Sequence, residues 1–335
     1  MALPLGILDQ SPVLAGARPR DAVLATIALA REAERLGYDR YWLAEHHAMQ
    51  GLADPAPEIL LARITAETAR IRVGTGGVLL PHYAALKVAE QFRMLDALAP
   101  GRIDLGIGRA PGGTQRVSMA LESADVQRFP RQVSDVVGFL DGTLSEEHPF
   151  AKLVAMPSGE TSPEVWLLGS SDYSAALAAE MGLPFAFAHF ISGDAAGVTR
   201  MYRRHFQPSK RSPEPRVLLA VAALAADTPE AAEELASTID LWRLRIRHGI
   251  DLPVPSLDEA LAYPYTPYDR EEIRYNRRRL ALGTPRAVRE RIETIAGAHE
   301  ADEAMVLTIT PDYASRTRSY ALLAEAFALA PPAAV

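Results

Sequence analysis

Tyr41-Trp42-Leu43-Ala44-Glu45-His46-His47 is a short apolar run that ends on a carboxylate and two adjacent imidazoles. In parallel α/β proteins, loops at the C-terminal ends of strands converge on ligands, so ionisable groups at such an end indicate a site and not a core. Neighbouring strand residues face opposite ways. Only one of His46 and His47 can therefore point to the centre of a barrel, the other packing outward or turning to solvent.

Outward from this run the chain alternates short aliphatic segments with amphipathic helical ones, the pattern of parallel βα units. Strands are predicted at 5–8, 40–44, 71–75, 102–106, 165–168, 185–188, 217–224 and 304–309. Helices are predicted at 20–36, 57–69, 84–99, 131–140, 174–181, 228–247 and 322–328, the first ending at Gly37 in the role glycine fills after a helix. Eight strands in this alternation, with no Gly-rich dinucleotide turn after the first, argue for an α/β fold of the (β/α)8 TIM-like barrel type. Insertions are expected after strands four and seven, and residues 1–335 read as one domain. The second insertion, 248–283, interleaves Pro253, Pro255, Pro264 and Pro267 with Tyr263, Tyr265 and Tyr268. A long loop of this kind is either a lid over the site or a solvated excursion.

Composition narrows the function classes. The 335 residues carry 35 basic and 42 acidic side chains, for a net charge of −7 with no long run of either sign. Such a chain has no electrostatic footprint for nucleic acid or an anionic membrane. The absence of cysteine removes disulfides, thiolate metal sites and a cysteine nucleophile. No apolar stretch is long enough to span a bilayer, and residues 1–9 read as a first strand instead of a signal peptide, so the cytoplasm is the expected compartment.

Further motifs sit at other strand ends. Gly76-Gly77 offers a backbone that a planar ligand can approach closely, or a flexible turn. Arg109, just past strand four, suits a phosphate or carboxylate, and equally a surface salt bridge. Gly169-Ser170-Ser171-Asp172-Tyr173-Ser174 runs from strand five into a helix, where capping hydroxyls and free N–H groups form an anion cradle. His189, ending strand six, is a rim residue or a pocket residue. A metal site from Glu45, His46, His47 or His82 is disfavoured, because adjacent histidines diverge and no HxH or helical i,i+4 histidine pair accompanies them.

Taken together, Leu43 to His47, Val73 to Pro81, Gly101 to Arg109, Gly169 to Ser174 with Met181-Gly182-Leu183-Pro184, and Gly283-Thr284-Pro285 with Val288 resemble the bacterial luciferase-like flavin-dependent monooxygenases in order and spacing across nearly the whole chain. The resemblance implies reduced FMN bound at the C-terminal face and used with O2, through a flavin hydroperoxide, to oxygenate a small organic substrate. His46 matches the family's catalytic histidine, with Glu45 to orient it. Gly76 and Gly77 match a small-residue pair behind the flavin ring that is joined by a non-prolyl cis peptide. Arg109, Ser171 and Ser174 match phosphate-binding positions, with Arg128 as a fourth, and His189 falls where luciferase has an aromatic near the ring. Gly108 replaces a luciferase cysteine, which argues against light emission and makes the pocket roomier. A reductase partner supplying reduced FMN and a homodimer through the helix at 57–69 are also implied, although direct use of NAD(P)H stays open. The alternatives are an F420-dependent oxidoreductase that transfers hydride without oxygen, and a flavin-binding protein without turnover.

Overall fold

The computed structural model describes residues 3–123 and 125–330. Its strands are β1 (Leu5–Asp9), β2 (Arg40–Leu43), β3 (Arg72–Thr75), β4 (Val78–Leu79), β5 (Ile103–Gly108), β6 (Glu164–Gly169), β7 (Phe185–Ala188), β8 (Val217–Ala225), β9 (Leu280–Gly283) and β10 (Glu303–Leu307). The helices are α1 (Pro19–Leu36), α2 (Pro57–Thr65), α3 (Ala85–Leu98), α4 (Gln115–Ala120), α5 (Phe129–Asp141), α6 (Asp172–Glu180), α7 (His189–Ser192), α8 (Ala196–His205), α9 (Pro229–Arg247), α10 (Leu257–Ala262), α11 (Pro267–Arg277), α12 (Pro285–His299) and α13 (Tyr313–Ala326).

All pairings between these strands are parallel, in the order β10-β1-β2-β3-β5-β6-β7-β8, and a further β8–β10 ladder closes the ring. That is the eight-stranded barrel the alternation predicted. Two short strands are additions to it. β4 extends beside β5, and β9 pairs with the C-terminal half of β8 from Ala222 to Ala225. β9 lies in the segment read as an irregular loop. Of 248–283, two helices and this strand now account for most, α11 opening on a Thr266–Asp269 capping box. The last helix also begins nine residues before the predicted 322, at Tyr313, where the Asp312 side chain accepts from the Ser315 N–H.

Period-two alternation along each strand separates two cores. Ile7, Tyr41, Leu43, Leu167, Phe185, Phe187, Leu219 and Val306 pack outward against the helices. Leu8, Trp42, Trp166, Ala186, Leu218, Ala220 and Met305 fill the barrel interior. The interior is uneven in bulk. Trp42 and Trp166 meet edge to face at 5.7 Å, whereas Ala186, Ala188, Ala220 and Gly108 leave space toward the C-terminal ends of their strands.

Beneath the tryptophans the N-terminal face is tied by charge. Arg40 reaches Asp104 at 2.7 Å, Glu164 at 2.9 Å and Glu303 at 2.6 Å, while Arg72 pairs with Asp104 and Arg216 with Glu164 and Glu303. The indole N–H of Trp42 donates to Asp104 at 2.8 Å. With Asp104, Glu164 and Glu303 each matched to arginines, this face closes the barrel and leaves chemistry to the opposite end. No helix among the described residues is long and apolar enough to cross a membrane.

Candidate active site

Two cavities open at the C-terminal end of the barrel and share Phe190 as a wall. The smaller, about 370 Å3, penetrates the barrel mouth between Trp42, Gly76, Gly77, Arg109 and the β6–α6 turn. The larger, about 520 Å3, lies beside it under α9 and carries His46 and His47.

Glycines make the smaller cavity possible. A Cβ on Gly76 would sit 2.5 Å from Leu8 Cδ1, and one on Gly77 would sit 2.6 Å from the Gly106 carbonyl oxygen of β5. The latter neighbour is backbone and cannot give way. The Gly76–Gly77 peptide is cis. The result is a side-chain-free strip on the cavity wall, suited to a flat ring.

At the far side β6 hands over to α6. Ser171 is the N-cap residue in extended conformation, and its hydroxyl makes no capping bond. Ser174 is buried on the first turn, so close to Gly169 that a Cβ there would lie 2.2 Å from its own. The N–H groups of that first turn have no acceptor within the helix, and the positive end of the helix dipole adds to their pull on an anion. Arg109 completes the arrangement. Its guanidinium lies 4.2 Å from the Tyr173 ring centroid and has no acidic partner among the described residues. A phosphate monoester on a planar ring system therefore fits the residues present, with Gly76 and Gly77 behind the ring and Arg109, Ser171 and Ser174 around the phosphate.

The histidine pair does not divide as strand alternation would require: β2 ends at Leu43, and His46 and His47 both line the larger cavity. Glu45 Oε1 is 2.7 Å from His47 Nε2 and makes no hydrogen bond with His46, which corrects the orienting role expected of it. Glu45 is fixed further by the Tyr83 hydroxyl at 2.7 Å and the Leu79 N–H at 3.0 Å. His46 is left with a buried Nδ1 that has no partner. Burial pushes its pKa down to about 4, helped by the neighbouring His47 and opposed by a hydrogen bond with the Ala44 backbone. The imidazole is therefore neutral near pH 7 and able to exchange a proton.

Two expected site residues lie elsewhere. Arg128 ends an exposed 3-10 turn and borders neither cavity. His189 begins α7 with its ring turned from the cavities, edge-on to His299 at 5.7 Å, with neither nitrogen hydrogen-bonded. Its successor Phe190 supplies the aromatic wall instead, since one step at the start of a helix swings the side chain about 100°. The 248–283 segment touches the larger cavity only through Gly249, Ile250 and Asp251, and Tyr263, Tyr265 and Tyr268 do not line it. His82 is bound to Ser123 at 2.6 Å and to the Pro111 carbonyl at 3.0 Å.

A match to the family model for luciferase-like monooxygenases runs from residue 5 to residue 299. The chain belongs to the luciferase-like monooxygenase family. Within it, the chain is 47% identical over 329 residues to the uncharacterized protein YwcH of Bacillus subtilis, covering 97% of this chain and 99% of that one. It is 35% identical over 328 residues to the N-acetyl-S-alkylcysteine monooxygenase of the same organism, covering 96% and 97%. The apo-MsnO8 crystal structure superposes with a TM-score of 0.91 at 42% identity, covering 99% of each chain. The fold alone is shared with the oxygenating constituent of 3,6-diketocamphane monooxygenase in complex with FMN, at TM-score 0.70 and 19% identity over 97% of each chain. It is shared likewise with an F420-dependent secondary alcohol dehydrogenase, at 0.69 and 13% over 98% and 99%.

Residues missed in the sequence include Asp54 and Arg243. Asp54 is buried, its Oδ2 has no partner, and burial raises its carboxyl to about 7. Arg243 lines the larger cavity from α9. A signal for it existed: Ile239, Trp242 and Ile246 form an apolar stripe at helical spacing, and Arg243 interrupts that stripe with a charge.

Proposed function

We propose that the protein is the oxygenase component of a flavin-dependent monooxygenase, taking reduced FMN from a reductase and a small organic substrate into the adjoining cavity. The observation that carries this reading is the pairing of the two spaces across Phe190: one a phosphate cradle with a glycine-flat wall, the other apolar with a neutral histidine. The named activity of the Bacillus subtilis N-acetyl-S-alkylcysteine monooxygenase and the FMN held by the diketocamphane enzyme support it.

Reduced FMN, when bound, would supply the electrons with which one atom of O2 enters the substrate and the other leaves as water. The chain's own residues do the rest. Arg109, Ser171 and Ser174 hold the phosphate and so fix the ring's depth in the barrel. Leu52, Ile239, Trp242, Ile246 and Leu307 keep water from the larger cavity, with residues 249–251 of the 248–283 segment as its closing edge. His46, deprotonated at neutral pH, accepts or returns a proton through its unpaired Nδ1. Glu45 is a positioning residue that holds His47 and the Leu79 backbone beside it.

The reading is tested without knowing the substrate. Anaerobic protein loaded with reduced FMN is mixed with O2 in a stopped-flow spectrometer. A flavin sheltered by this site reoxidises in at least two resolved phases, and His46→Ala changes the later phase by ~100-fold, the scale of one general acid or base. Single-phase reoxidation at the rate of free reduced FMN contradicts the proposal and favours hydride transfer or simple flavin carriage.

A further inference from the structure

Arg243 is a cation in the wrong company. Helix α9 presents Ile239, Trp242 and Ile246 to the larger cavity, and Arg243 emerges from the same stripe. It makes no hydrogen bond or ion pair with any described residue. Of the arginines around it, Arg245 pairs with Glu259, Arg247 with Glu272, and Arg277 with Asp240 and Glu233, while Arg279 donates to the Ile191 carbonyl and the Asn276 side chain. Asp240, one turn back on α9 and the nearest acid, is held by two nitrogens of Arg277, at 2.9 Å and 2.6 Å.

None of the other groups on the cavity forms an ion pair with it, although Asp251, the acid among the lining residues, keeps its charge. Asp251 accepts from the Gln50 N–H through both oxygens, at 3.0 and 2.9 Å, and His47 is bound to Glu45. Loss of water pushes the guanidinium down to about 10, and the nearby Arg279 and Arg277 act in the same direction while Asp240 opposes them. It stays charged at neutral pH. A guanidinium without an ion-pair partner beside an apolar wall offers a fork of donors that matches a carboxylate.

We propose that the larger cavity takes a substrate with an apolar body and a single carboxylate, and that Arg243 binds that carboxylate. This rests on the reading of the larger cavity as the substrate site. It deepens that reading by fixing the substrate's charge and its direction: the anion lies against α9, and the apolar body points toward His46 and the shared Phe190 wall.

Calorimetric titrations of the FMN-loaded protein test it with two matched pairs, hexanoate against hexanamide and N-acetyl-S-methylcysteine against its methyl ester. At least one acid is expected to bind ~10- to 100-fold more tightly than its neutral partner, the scale of a charged hydrogen-bonded pair. Arg243→Met should abolish that preference, and Arg243→Lys should restore part of it. FMN affinity should be unchanged in both variants, because Arg243 does not border the smaller cavity. The proposal is overturned if no acid is preferred over its neutral partner, or if Arg243→Met keeps the preference. Failure of the flavin reading would look different: FMN itself would not bind, whatever the carboxylates do.

Discussion

His189 and His46 are both imidazoles deprived of water, and both are pushed down to about 4, chiefly by burial. For His189 the charge of His299 and of Arg291 and Arg279 adds to this. A folded-state value below the ordinary 6.5 means that the unfolded chain binds the proton first on acidification. The stability associated with a neutral His189 is therefore whole above about pH 6.5 and is lost as the pH falls toward 4. The loss is on the order of 1–3 kcal/mol by pH 4. His189→Phe keeps an aromatic ring against His299 without the titration. Denaturant unfolding at pH 7 and pH 4.5 should show a smaller acid loss in the variant than in the parent, and parallel losses would contradict the assignment.

At this scale the sequence was legible where backbone alone decides position. Gly76 and Gly77, and Ser171 and Ser174 at the start of α6, reach the cavity because their elements must put them there. Which way a side chain turns after a strand ends was not legible. Glu45 bonds to His47, Phe190 replaces His189 at the wall, and Arg128 stays outside, all through rotations that spacing does not encode.

At the scale of elements, the junction of β6 and α6 decides whether an anion can be held. Gly169 lets Ser174 approach to where a Cβ cannot be tolerated, and thereby sets the helix N-terminus against the cavity. Gly169→Ala should push α6 away from β6, lowering FMN affinity while leaving the barrel folded at a cost of ~1–3 kcal/mol. Thermal unfolding together with an FMN titration checks this, and unchanged affinity would show that the helix terminus does not hold the phosphate. Strong elements such as α1, α5 and α9 were read close to their true bounds because their apolar periodicity and terminal Gly or Pro residues agree. Strand β9 was missed: its Leu280-Ala281-Leu282-Gly283 run is too short to stand out beside a Pro- and Tyr-rich segment, and it forms by adding to an existing ladder.

Over the whole molecule, the two ends of the barrel have opposite electrostatic character. The N-terminal face matches Asp104, Glu164 and Glu303 with arginines around Arg40 and two indoles, whereas at the C-terminal face Arg109 and Arg243 have no acidic partner, and the His46 Nδ1 no hydrogen bond, among the described residues. That asymmetry was visible only in part: strand ends could be named from sequence, but the pairing of Arg40 with Asp104, Glu164 and Glu303 joins residues 64 to 263 positions apart. The central claim is that the smaller cavity holds reduced FMN by its phosphate. It is tested most directly by an anaerobic titration of the protein with reduced FMN, reduced riboflavin and reduced F420. Reduced FMN should bind most tightly, riboflavin should be weaker by ~10-fold or more for want of the phosphate, and Arg109→Met should reduce that difference. Equal binding of FMN and riboflavin, tighter binding of F420, or no flavin binding at all would contradict it.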